Sequence, residues 1–366
     1  MSETIGLYLH IPFCKSKCPY CDFFSGKGSE NDYDSYVLTL TDKIQFWGNQ
    51  TDKAVSSIYL GGGTPSIIGS DRLCMILESV YKNFNVSKGA EITAEVNPDS
   101  GKNIDFALLK KYGFNRISVG MQSAVADELN ALGRIHTAND ASCTVEKAKN
   151  SGIDNISLDL MMGTPNQTID SLKDSIQFCS DCGVTHISSY LLKIEEGTKY
   201  DSLREKLQLP DDDMQAELYL FAVDYLSKLG YQQYEISNFS KIGFESRHNI
   251  NYWKCGEYIG IGPSAHSFLN GKRFYYDRNM KNFIDNKITI DGDGGSNEEY
   301  IMLALRLKQG LDFAEYQSKF GEPLPPRFFN KITNYAKCGY METNENSCCF
   351  TPKGFLVSNT ILSELL

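Results

Sequence analysis

The sequence predicts an α/β protein: a partial (β/α)6 TIM-like barrel followed by a small helical, winged-helix-like unit. Three observations carry the prediction. Strand-like and helix-like runs alternate, with successive strands roughly 25 to 50 residues apart, as repeated βα units require. The strand-like runs share one apolar and one polar face. Beyond residue 193 the pattern changes, and from Asn297 onward the chain turns helical.

The six strand-like runs are IGLYLHI at 5–11, SSIYLG at 56–61, EITAEVN at 91–97, RISVGMQ at 116–122, NISLDLM at 155–161 and HISSYLL at 186–192. Helical patterns near 33–46, 71–83, 104–111, 139–150 and 168–181 lie between them. Right-handed crossovers of this kind give a parallel sheet, and six units fall short of the full eight. Leu7, Leu9 and Ile11, then Ile58 and Leu60, then Ile92, Ala94 and Val96 form the apolar face that meets the helices. The other face carries Tyr8 and His10, Tyr59, Thr93, Glu95 and Asn97, Ser118 and Gln122, Ser157 and Asp159, and Ser188 and Tyr190. Ordinary barrels fill their interior with branched aliphatic side chains. A polar interior predicts a barrel that holds something.

Residues 211–229 read as a helix and 231–237 as a strand, which closes a core domain over residues 1–237. A loop-rich connecting segment, 238–290, carries RHNINYW and YIGIGPSAHSF. Residues 291–366 form the C-terminal helical domain, with a short hairpin at 340–350.

Composition narrows the function. The 366 residues carry a formal charge of −10, which disfavours nucleic acid as a partner. No apolar run approaches the ~18 residues of a membrane span. The start, MSETIGLYLHIP, lacks the basic and apolar regions of a secretory signal, so the chain reads as cytoplasmic. Eleven cysteines in that compartment should stay reduced. Cys179 and Cys182 have no second pair nearby and read as packing residues.

Three cysteines stand apart. Cys14, Cys18 and Cys21 fall in HIPFCKSKCPYCDFF with spacing C-x3-C-x2-C. Two metal chemistries suit them. One is zinc, with His10 as the fourth ligand. The other is an iron–sulfur cube, in which three thiolates leave one iron open. Gly61-Gly62-Gly63-Thr64-Pro65 follows the second strand, where bare backbone admits close approach. Gly62, Glu95, Gln122 and Asp159 all stand at C-terminal strand ends, the side of a barrel that carries chemistry.

These stretches together carry a resemblance. LYLHIPFCKSKCPYCDF, YLGGGTPS, ITAEVNP, RISVGMQS, LGRIH, LDLMMGTPNQT and YIGIGPSAH are similar to the radical S-adenosylmethionine (SAM) superfamily. They resemble the branch that holds oxygen-independent coproporphyrinogen III oxidase and the HemW-type heme chaperones. The resemblance implies a barrel of the radical SAM type. It implies that Cys14, Cys18 and Cys21 ligate a [4Fe–4S] cluster. Tyr8, Tyr20, Gly62, Gly63, Thr64, Glu95, Gln122, Arg134 and Asp159 would contact SAM, which such enzymes cleave to methionine and a 5′-deoxyadenosyl radical.

Within the branch, the residues favour the chaperone. The oxidase has a further cysteine two residues after the third, where this chain has Phe23, and a long extension before its first cysteine, where this chain has thirteen residues. The chaperone pattern H-N-x-x-Y-W is present as His248 to Trp253. It implies heme bound by His248, with Tyr252 and Trp253 against the macrocycle; His266 is a second candidate ligand. The implied partners are heme, an electron donor and a recipient hemoprotein, which would bring the chain to a membrane surface at delivery. Whether it works as a homodimer stays open, as does any catalytic residue. The alternative is an oxidase-like radical SAM enzyme of porphyrin biosynthesis.

Overall fold

The computed structural model describes residues 4–366; the first three residues of the predicted core domain lie outside it. Six parallel strands run in sequence order: β1 (Thr4–Ile11), β2 (Ala54–Gly62), β3 (Val86–Val96), β4 (Arg116–Gln122), β5 (Asn155–Met162) and β6 (His186–Leu191). Their apolar residues are fully buried at Leu7, Leu9, Ile58, Leu60, Ala94, Ile117, Leu158 and Ile187, as the two-residue alternation predicts.

Helices α1 (Glu30–Gly48), α2 (Ser70–Asn83), α3 (Phe106–Tyr112), α4 (Ala138–Asn150) and α5 (Ile169–Asp181) link the strands. Local chemistry fixes their starts. Ser29, Thr137 and Thr168 each accept a hydrogen bond from a backbone N–H in the first turn, and the residue three positions on bonds back. Such reciprocal caps satisfy N–H groups that the helix itself leaves unpaired. Cys179 is fully buried on α5, the packing position expected of it.

The segment after residue 237 joins the same sheet. Beyond α6 (Asp212–Lys228) and the two-residue β7 (Gln232–Gln233), β8 (Asn238–Ser240) pairs antiparallel with β6. After helix α7 (Arg247–Trp253), β9 (Tyr258–Ile261) pairs parallel with β1 on the opposite flank. Strands β10 (His266–Leu269), β11 (Lys272–Tyr276) and β12 (Ile288–Asp293) extend that flank antiparallel, giving twelve strands in one sheet. The stretch read as a connector thus frames the barrel on both sides. Its short strands hid in the sequence among Gly, Asn and Ser.

The C-terminal unit contains α8 (Asn297–Ala304), α9 (Phe313–Phe320), α10 (Pro326–Lys337), α11 (Pro352–Leu356) and α12 (Ser358–Leu365). A three-stranded sheet of β13 (Leu311–Asp312), β14 (Met341–Thr343) and β15 (Ser347–Phe350) supplies the wing. The unit is stitched to the turn before β8: Ile236 N–H donates to Arg306 O at 3.0 Å, and Lys308 N–H to Tyr234 O at 2.9 Å. No helix among the described residues is long and apolar enough to cross a membrane.

Candidate functional site

The cysteine loop lies directly on the glycine turn at the C-terminal end of β2. Gly63 N–H donates to Ile11 O at 2.9 Å, and Thr64 N–H to Phe13 O at 2.8 Å. A side chain at Gly63 would stand 2.6 Å from Phe13 O and 3.0 Å from Cys14 Sγ. Gly62 has φ 116°, and a Cβ there would meet the His10 ring at 2.6 Å. Two of the glycines therefore seat the loop itself. Cys14 N–H to Gly26 O and Gly26 N–H to Pro12 O, at 2.8 and 3.0 Å, close the loop at its base.

His10 pins the loop from below. Its Nε2 bonds Phe24 O at 2.8 Å and must carry the proton, so Nδ1 accepts from the Tyr8 hydroxyl at 3.0 Å. Burial lowers its pKa to about 4, which keeps the ring neutral. Both nitrogens are engaged, so the zinc alternative loses its fourth ligand. On the outer side, Arg278 reaches both carboxylate oxygens of Asp22 at 3.1 Å.

Cys14, Cys18 and Cys21 are free thiols, half-buried, and all line one cavity of about 560 Å³. Among the described residues no three His, Cys, Asp or Glu side chains converge as a single-ion site. Three thiols from one loop, open to a cavity, fit a cube with one vertex facing inward.

The same cavity takes in Tyr20, Gly62, Gly63, Thr64, Glu95, Gln122, Arg134 and Asp159. Glu95 accepts from the Tyr59 hydroxyl at 2.8 Å and from Gly62 N–H at 3.2 Å. Burial nevertheless raises its pKa to about 7. Asp159 accepts from Ser118 at 3.1 Å, and burial raises its pKa to about 6. Gln122 accepts from Tyr190 at 2.8 Å and holds φ 73°, a strained value for a residue other than glycine. Arg134 donates to Asn97 Oδ1 at 3.2 Å and stands over the Tyr20 ring, 6.0 Å from its centre. Its buried Nε has no partner. Two carboxyls made costly to ionise by burial, facing an arginine with an unpaired donor, fit a molecule that carries both a cationic centre and a carboxylate.

Four expected residues are not in this cavity's lining: Tyr8, His248, Tyr252 and Trp253. Tyr8 is spent on His10. His248 is 1% exposed, on a helix that plugs the N-terminal end of the barrel. Its Nδ1 bonds Ser57 Oγ at 2.9 Å and its Nε2 bonds the Tyr252 hydroxyl at 2.8 Å. The ring stacks on Tyr59, 5.2 Å between centres, and burial lowers its pKa to about 3. Glu91 caps the helix, accepting from Arg247 N–H and His248 N–H, both at 3.0 Å. In this conformation His248 holds the plug helix through both ring nitrogens, and ligating iron would require one of those hydrogen bonds to be exchanged for the metal. His266 differs. It is solvent-exposed and stacks on Tyr275 at 4.9 Å, and partial burial lowers its pKa.

The cavity also takes in Tyr59, Asn97, Tyr190, Arg116, His186 and Asn249. Tyr59, Asn97 and Tyr190 were legible as inward-facing by alternation but carried no motif. Arg116 and His186 open their strands, two residues upstream of the polar set and in phase with it. Extending the alternation by one step would have found both.

The radical SAM superfamily profile matches residues 8–179, and the HemN C-terminal domain profile matches residues 297–357. Three similar curated proteins are each called heme chaperone HemW. That of Bacillus subtilis is 32% identical over 98% of this chain and 98% of its own. That of Mycobacterium tuberculosis strain H37Rv is 33% identical over 100% and 95%. That of Escherichia coli K12 is 32% identical over 99% and 98%. Among solved structures, the Escherichia coli coproporphyrinogen III oxidase HemN, described as a radical SAM enzyme, superposes with a TM-score of 0.83. It covers 98% of this chain and 89% of its own at 20% identity, a likeness of fold.

Proposed function

We propose a function from one premise: this chain belongs to the radical SAM superfamily and, within it, to the HemW family of heme chaperones. It binds a [4Fe–4S] cluster, SAM and heme, and passes heme to a recipient hemoprotein. The observation that carries this reading is the similarity along the whole chain, at 32% identity, to proteins called heme chaperones, against a likeness to the oxidase in fold alone. The oxidase-like alternative is therefore set aside.

In this reading Cys14, Cys18 and Cys21 hold the cluster. When bound, the cluster supplies a single electron to SAM. Arg134 pairs with the SAM carboxylate and Tyr20 walls its edge. Gly63 and Thr64 seat the cysteine loop with their backbone N–H groups, Gly62 N–H fixes Glu95, and the bare glycine backbone leaves room beside Cys14. Tyr8 acts at one remove, by holding His10 under the loop. Glu95 and Asp159 face the cationic sulfonium and the ribose hydroxyls, and Gln122 orients the ligand from its strained position. A cation close to Glu95 restores the charged form that burial suppresses.

For heme, His248 of the H-N-x-x-Y-W segment, with Tyr252 and Trp253, is one candidate iron ligand, and His266 is the second. Its ring is exposed, no hydrogen bond to either nitrogen occurs among the described residues, and a lowered pKa keeps it neutral near pH 7. The recipient and the electron donor are proteins that would meet this chain from outside.

The test is anaerobic. The reconstituted protein is loaded with heme and mixed with an apo-hemoprotein, and heme transfer is followed by absorbance. A parallel mixture with coproporphyrinogen III, SAM and a reductant is assayed for decarboxylation. Transfer without decarboxylation is expected; decarboxylation without transfer would overturn the reading. His248→Ala and His266→Ala, compared one against the other, identify the iron ligand: the variant that loses it should show an altered heme absorbance band.

A further inference from the structure

The floor of the cavity carries a feature that neither cluster nor SAM accounts for. Arg116, the first residue of β4, is 2% exposed and lines the cavity. Its guanidinium makes no hydrogen bond or ion pair among the described residues, and its Nε is buried without a partner. A buried, permanently charged group in that condition is costly, so such groups are normally paired. Its neighbours in the ladder share the deficit. Thr93 on β3 and Asn155 on β5 flank Arg116 in register. Thr93 Oγ1 and Asn155 Oδ1 are also buried and unpartnered.

The surroundings select an anion. Asn249, on the plug helix, lines the same cavity and its amide makes no hydrogen bond among the described residues. The two imidazoles nearby are kept neutral: burial and the Arg116 charge push both His186 and His248 down. His186 is locked between Ser157 and Tyr234, at 2.8 Å each, so it cannot move to serve as an alternative cation. The Arg116 charge acts on Glu95 and Asp159 from a distance, favouring their charged forms, but neither forms an ion pair with it among the described residues.

We propose that the floor of the barrel is a carboxylate-binding subsite, with the Arg116 guanidinium as its cation and the Asn249 amide as a second donor. A planar guanidinium pairs with a carboxylate through two parallel hydrogen bonds. The subsite and the cysteine loop open on one cavity, so a molecule anchored at Arg116 extends toward the reactive end. The H-N-x-x-Y-W segment then gains a division of labour. His248 and Tyr252 fix the helix, and Asn249 presents its amide to the ligand. The carboxylate belongs either to a small free acid or to an acid arm of a tetrapyrrole. The subsite stands on geometry alone, so it can be tested without heme and survives failure of the chaperone reading.

The probe is 4-bromobenzoate, titrated into the anaerobic holoprotein with cluster and SAM present. Arg116→Gln should weaken its binding about tenfold, and Arg116→Lys by less, since one charged hydrogen-bonded pair is at stake. Crystals of the wild type soaked in the same acid should show bromine in the cavity, with the carboxylate on Arg116. That measurement does not depend on the variants folding. Heme and heme dimethyl ester form a second arm. If the Gln variant loses affinity for heme but not for the ester, the carboxylate is a tetrapyrrole's. If both bind the variant as they bind the wild type while 4-bromobenzoate does not, the ligand is a small free acid. Equal 4-bromobenzoate affinity in wild type and Arg116→Gln, or bromine absent from the floor, would overturn the proposal.

Discussion

The two ends of the barrel are held together by different means. At the C-terminal mouth, a loop rests on glycine backbone, its thiols half-exposed and its outer edge tied by the solvent-exposed pair of Asp22 and Arg278. At the N-terminal floor, buried side chains do the holding: Glu91 caps the plug, Ser57 and Tyr252 clamp His248, and Tyr234 clamps His186. The C-terminal unit is sewn to the same end through Tyr234 and Ile236. The mouth is thus left open for ligands, whereas the floor is held by its own side chains, the rung at Arg116 and the Asn249 amide excepted. Substitutions at the mouth should remove ligands and spare the fold. Those at the floor, the Arg116 subsite excepted, should do the reverse.

The largest effect expected is at the mouth. Cys18→Ala should reduce iron in the anaerobically reconstituted protein from about four per chain to near zero. The apo-protein's unfolding free energy should change by less than about 0.5 kcal/mol, because the thiol is only half-buried. A large loss of apo-protein stability would break the contrast.

Next comes the floor. His248→Ala removes a buried ring with two hydrogen bonds and a stacking partner, which should cost about 3 kcal/mol in denaturant unfolding. Cluster loading should stay intact. A heme spectrum lost in this variant, with stability unchanged, would give His248 the role of iron ligand rather than clamp.

Glu95→Gln sharpens the comparison through pH. Glu95 binds its proton more tightly in the folded chain, with a pKa of about 7 against an ordinary 4.5. The folded state is therefore favoured by this group below pH 4.5, and that advantage is lost as pH rises to about 7. Burying the charge should cost the apo-protein on the order of 3 kcal/mol above pH 7. The Gln variant should therefore melt higher than wild type at pH 8 and no higher at pH 5, while SAM affinity falls. An equal difference at both pH values would contradict the raised pKa.

The smallest effect is at the rim. Arg278→Ala should cost below about 1 kcal/mol, as exposed ion pairs do. Its readout is faster loss of the cluster's visible absorbance in air, because the loop loses its outer tie.

The contrast also explains what was legible in the sequence. The mouth is made of short local patterns, such as C-x3-C-x2-C and the glycine run, so Cys14, Gly63 and Glu95 were readable before the fold was known. Six parallel strands followed from alternation, which burial on one face imposes. The floor is assembled from residues far apart in the chain: Ser57, Glu91, Arg116, His186 and His248 meet only in three dimensions. The structural part played by His248 was not legible, because a histidine beside aromatics suits both an iron ligand and a buried clamp, and its partners Ser57 and Tyr252 meet it only in the fold. The strands of the 238–290 segment were missed because they are short and lie next to their partners only once the barrel has formed.

The central claim is that three loop thiols hold a cube whose open vertex faces the cavity. It is tested most directly by reconstituting the protein with iron and sulfide under anoxia, counting both, and recording the reduced EPR spectrum with and without SAM. About four iron and four sulfide per chain, with a spectrum that changes when SAM is added, is the result expected. Tightly held zinc without acid-labile sulfide, or a cluster spectrum indifferent to SAM, would contradict it.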